Sequence, residues 1–68
     1  MMQASDYDSF TQTRFKGLGI ARHGAAHWFF VDTSDSQFGA PKIGISYKTK
    51  LECLADAHRF ASERGFRA

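Results

Sequence analysis

Ala26-His27-Trp28-Phe29-Phe30-Val31-Asp32 is the one run in this chain that is at once apolar, aromatic and β-branched. It has the length of a single strand, and turn residues stand on both sides of it: Gly24-Ala25 before, Thr33-Ser34-Asp35 after. Side chains alternate across a strand, so His27, Phe29 and Val31 share one face and Trp28, Phe30 and Asp32 the other. Large apolar groups on both faces call for cover on both. A helix is expected on one face, with an aromatic platform on the other.

Working outward, Phe15 to His23 alternates as a preceding strand, with Leu18 and Ile20 on one face and Gly17, Gly19 and Ala21 on the other. Two glycines in a strand mark a bulge or a close backbone approach. Gly24-Ala25-Ala26 is a short turn that suits a hairpin into the central run. Asp32 to Pro41 reads as a long polar turn carrying one unexpected aromatic, Phe38. Lys42 to Lys48 is the third strand: Ile43, Ile45 and Tyr47 face one way, and Lys42, Gly44, Ser46 and Lys48 the other. The first of these faces offers the longest unbroken apolar set, and the helix is expected to cover it.

Thr49-Lys50-Leu51-Glu52 has the spacing of a capping box and opens that helix. Leu51, Leu54, Ala57, His58 and Ala61 form a stripe, with Cys53 and Phe60 on its flank and Glu52, Asp56, Arg59 and Glu63 opposite. Gly65 is a natural stop, with Phe66 folding back onto the last turn. Residues 1–13 are polar and acidic and read as a flexible N-terminal arm; the alternation Phe10-Thr11-Gln12-Thr13-Arg14-Phe15 at its end is a weaker candidate for an edge strand. The expected architecture is α+β: a three-stranded antiparallel meander followed by one C-terminal helix packed on the sheet (β-β-β-α), with residues 14–68 forming one domain.

At 68 residues the chain has room for one domain only. Ten aromatics, among them seven Phe, either fill a small core or leave some over for a partner surface or a homodimer. A net charge of +2 permits an anionic partner without demanding one. A single cysteine excludes an internal disulfide and fits a reducing, cytoplasmic setting. No apolar run reaches membrane-spanning length, and the first residues lack the pattern of a signal peptide.

Four constellations bear on chemistry. His23, His27, Cys53 and His58 carry zinc-binding atoms, but their spacing matches no common finger, so no metal or other cofactor is expected. Cys53 and His58 stand five apart on a helix, with no carboxylate to orient the imidazole, so the chain is read as non-enzymatic, with no small-molecule substrate evident. Arg14, Lys16, Arg22, Lys42, Lys48 and Lys50 cluster on the first and third strands and their ends, where a basic sheet face would track phosphates. Trp28 or Phe30 would stack on bases if exposed. The alternative is a protein-binding or inhibitory module that uses Phe38 together with whichever of Trp28 and Phe30 lies outward.

Phe15-Lys16-Gly17, then Trp28, then Tyr47-Lys48-Thr49 with Glu52 and an alanine-bearing helix resembles the DNA-binding domain of plant ethylene-response factors. It is similar also to the arm-binding domains of tyrosine integrases. The resemblance runs from about Phe15 to Ala61. It implies a three-stranded sheet that reads DNA with arginines and tryptophans, for which Arg14, Lys16, Arg22 and Trp28 are the matching positions. It also implies an origin in a mobile genetic element. The second strand lacks the family's basic residues, and Gly44 stands one place off the family pattern.

Overall fold

The computed structural model describes residues 4–34 and 39–68. A short 3-10 turn at Ala4–Asp6 leads into four strands, β1 (Ser9–Gln12), β2 (Leu18–Arg22), β3 (Trp28–Asp32) and β4 (Lys42–Tyr47). Two helices follow, α1 (Lys50–Ala55) and α2 (Ala57–Arg64). The strands pair antiparallel in the order β1-β2-β3-β4. The expected α+β class and antiparallel meander are present, with four strands and two helices among the described residues in place of three and one.

The added strand comes from the stretch expected as an arm. Ser9, Phe10, Thr11 and Gln12 pair with Arg22, Ala21, Ile20 and Gly19. Propensity within Ser-Phe-Thr-Gln is weak, and tertiary packing supplies what it lacks. The Phe10 ring lies directly over Gly19, where a Cβ would come within 2.7 Å of it. The close approach anticipated at this glycine is therefore made by a side chain of the neighbouring strand.

The helices cover the face carrying Leu18, Ile20 and Phe30, with Trp28, Ile43 and Tyr47 at its margin. Phe30 is wholly buried, stacked on Phe60 at 4.3 Å between ring centroids and meeting Tyr47 edge-on. The opposite face is no open platform. Ala21, Phe29 and Val31 are buried there beneath Tyr7, Phe10 and Ala40. The Tyr7 hydroxyl donates to the Ala40 carbonyl, fastening the segment before β1 to the segment before β4.

Strand β4 departs from simple alternation. Ser46 pairs with Phe29 while Ile43 pairs with Phe30, so Gly44 and Ile45 are extra residues in a bulge. Gly44 sits at φ +76°, and the Phe60 ring packs against its bare Cα. Ile43 and Tyr47 stay on the helix-covered face as expected, but Ile45 is pushed outward and is 69% exposed.

The helix begins where its capping signal stands. The Glu52 N–H donates to Thr49 Oγ1 at 3.1 Å. It is divided at Asp56, whose N–H donates to both Glu52 and Cys53 carbonyls, a 3-10-like step between α1 and α2. The inward face carries Cys53, Ala57, Phe60 and Ala61. The expected stripe is corrected by this: Ala57 and Ala61 belong to it, whereas Leu51 and Leu54 point outward and His58 is exposed. Small side chains at 53, 57 and 61 let the helix backbone come close to the sheet, which a leucine face would hold off. Gly65, at φ +82°, ends α2, and the Phe66 N–H returns to the Ala61 carbonyl at 2.9 Å while its ring joins the core.

Candidate nucleic-acid interface

The basic residues singled out in the sequence do not share a face. Register puts Arg22 opposite Trp28, and Trp28 opposite Tyr47, at one end of the sheet. The Arg22 guanidinium lies 5.7 Å from the centre of the Trp28 ring. The Lys50 ammonium, from the first turn of α1, lies 5.9 Å from the same ring. Lys48 is exposed in the link between β4 and α1, next to this pair. Lys42 belongs to the opposite face, where its ammonium rests over Phe29 at 5.3 Å and donates to Ser46. Arg14 and Lys16 stand in the β1–β2 loop, at the far end of β2 from Arg22.

Arg22, Trp28 and Lys50 thus form a basic-aromatic cluster in which two cations from separate elements share one ring. Each cation over an indole face gains about 0.5–1 kcal/mol when exposed. Trp28 is half-buried, packed on the core from beneath, and acts as the support on which both cations rest. Arg22 Nε is buried and makes no hydrogen bond among the described residues. Asp8, at the same end, is engaged elsewhere: its carboxylate accepts from the Gly24 N–H at 2.7 Å. Among the described residues the ion pairs are those of Arg59 with Asp56 and Glu63. Arg14, Lys16, Arg22, Lys42, Lys48 and Lys50 form none there.

Cys53 and the histidines are dispersed. His23 and His27 flank the β2–β3 turn, while Cys53 is buried in α1 and His58 is exposed on α2. No three His, Cys, Asp or Glu side chains gather into a metal-binding group among the described residues. Burial, and after it the Asp56 charge, push the Cys53 thiol up to about 12. That thiol stays protonated at neutral pH and behaves as a small core hydrophobe. Phe30, a candidate docking residue, is stacked inside the core and has no surface to offer. Phe38 lies outside the described residues. No helix among the described residues is long and apolar enough to cross a membrane.

The chain matches no protein family, no curated protein and no solved structure.

The helices are tied to the sheet by a polar contact that reports on folding. The Tyr47 hydroxyl donates to Asp56 Oδ2 at 2.5 Å, and Arg59 holds the same carboxylate. Burial, and after it the Asp56 bond, raise the Tyr47 phenol from 10.0 to about 12. The folded state therefore favours the protonated phenol more than the unfolded chain does. That contribution is fully present below pH 10 and is lost as the pH rises towards 12. An alkaline titration of near-ultraviolet phenolate absorbance is expected to show Tyr47 ionising in the folded protein near pH 12, well above the unfolded value of 10.0. In Tyr47→Phe the alkaline fall in stability should shrink.

Proposed function

We propose that this chain is a small non-enzymatic module that binds the phosphate backbone of DNA with the Arg22–Trp28–Lys50 end of its sheet. The observation that carries this reading is the seating of two cations, from β2 and α1, over one tryptophan, with no carboxylate paired to either among the described residues. Cations already held by a fixed ring lose little freedom on meeting a phosphate. Lys48, next in chain to Tyr47, adds a third charge at the same end. Asp8 and Glu52 stand beside this end in the chain's path, so the patch suits a few phosphates rather than a long track. The interface differs from the basic sheet face read in the sequence, because both sheet faces are covered.

Trp28 is the chain's single tryptophan, so its fluorescence reads the site directly. Adding a mixed-sequence duplex should change Trp28 emission, and the affinity should fall with salt with a log–log slope of roughly −2 to −3, as expected for three neutralised phosphates. Arg22→Ala and Lys50→Ala should each weaken binding roughly 5- to 10-fold and each reduce the slope by about 1. Binding without salt dependence, or unchanged in the double variant, would remove this interface.

A further inference from the structure

We propose that a groove at the other end of the sheet, between the β1–β2 loop and the helices, docks an acidic peptide that inserts an apolar side chain over Phe15. The groove has a volume of about 330 Å³ and is half-open to solvent. That is near the lower end of the roughly 300–1,000 Å³ seen for ligand sites, and suits one or two apolar side chains rather than a large cofactor. Its floor is Phe15 and Ala57, both buried; Leu54 forms a wall and is 41% exposed. One helical turn earlier, Leu51 extends the apolar strip at 77% exposed. Both leucines of this six-residue helix point outward, and their spacing of three puts them side by side.

The groove is preformed. Gln12 Nε2 donates to the Leu18 carbonyl at 3.0 Å, and Thr13 Oγ1 donates to the same carbonyl while accepting the Phe15 N–H. These bonds hold the loop in shape and engage the Gln12 amide N–H and the Thr13 hydroxyl. Beside them the groove presents a cation and aromatic rings. The Arg14 guanidinium lies 4.9 Å from the Phe15 ring centre, and the His58 ring faces the same phenyl at 6.2 Å.

Charge selects the occupant. The Lys16 N–H donates to the Arg67 carbonyl at 2.7 Å, which brings the C-terminal segment beside the loop. Arg14 lines the groove, Lys16 follows Phe15 in the chain and Arg67 is bonded to Lys16 through the backbone; no Asp or Glu lines the groove, and none of the three cations is ion-paired among the described residues. A partner that fills the groove has to bring carboxylates to the rim and an apolar group to the floor. A nucleic-acid backbone would meet the cations but leave Leu51 and Leu54 in water. An acidic peptide satisfies both.

The test is an amide NMR titration with two synthetic peptides, EELFEE and its charge-reversed counterpart KKLFKK. EELFEE is expected to shift the amides of residues 13–15 and 54–58, and KKLFKK to leave them unmoved. Arg14→Glu should weaken EELFEE binding by about fivefold or more, the scale of a rim charge reversal. Leu54→Asp, at an exposed position, should abolish it while the melting curve stays close to that of the parent. Silence at millimolar EELFEE, equal response to both peptides, shifts centred on Trp28, or a DNA duplex occupying the groove in preference to EELFEE would each overturn the proposal.

Discussion

Replacing Phe30 by alanine is expected to lower the melting temperature by at least about 12 °C, from a loss of about 3–5 kcal/mol and the steep response of small domains. Phe30 is the largest wholly buried side chain among the described residues and stands where β3 meets the helices. One ring face is stacked on Phe60, and Tyr47 closes it edge-on. Removing the ring leaves a cavity that the short helices cannot collapse into, because Cys53, Ala57 and Ala61 already bring them close to the sheet. A domain of this length holds only about 3–10 kcal/mol in total, so the variant should be largely unfolded at physiological temperature. Phe30→Leu, which keeps most of the volume, should cost clearly less. Circular dichroism melts of the three proteins decide the matter, and a fall of under about 4 °C for the alanine variant would show that the stack is not central.

The second large effect is expected at Gly44, where alanine should cost about 2–5 kcal/mol from two sources. A left-handed backbone costs a non-glycine residue about 1–2 kcal/mol. The added methyl would also come within 2.7 Å of Phe60 Cε1, and the displaced ring would disturb the Phe30 stack, an overpacking cost of about 1–3 kcal/mol. Gly65 supplies the control, because it has a similar φ of +82° with nothing within 4 Å of a new Cβ. Gly65→Ala should therefore show the backbone cost alone. If the two alanine variants melt together, Phe60 does not pack on Gly44 as described. If Phe60→Leu restores part of the loss at Gly44, the contact is confirmed by coupling.

Much of this architecture can be read from local signals, and the misses share a cause. The central strand, its two faces, the Thr49 cap and the Gly65 stop each rest on residues whose chemistry acts within a few positions. Strand β1 was faint because Ser9-Phe10-Thr11-Gln12 offers a single apolar side chain, and that side chain gains its value from Gly19 on the next strand. Ile45 was assigned inward by alternation, which a bulge interrupts; Gly44 was the one hint of it in the sequence. Helical spacing puts the leucines of α1 on the same stripe as Ala57 and Ala61, although the sheet needs small residues at the contact. At the candidate interface, Arg22 and Trp28 were singled out separately, and strand register made them neighbours. Lys42 was grouped with them although the alternation of β4 already set it apart from Tyr47 and hence from Trp28. The part played by Lys50 could not be read from spacing, because it depends on where α1 returns over the sheet.

The central claim is that DNA phosphates meet the Arg22–Trp28–Lys50 end. Its most direct test is an amide NMR titration with a mixed-sequence duplex, at low and then at moderate salt. The account predicts shifts at residues 22–28 and 47–50, together with the Trp28 indole N–H, that weaken as salt rises. An unchanged spectrum at low salt, or shifts confined to the β1–β2 loop and α2, would contradict it.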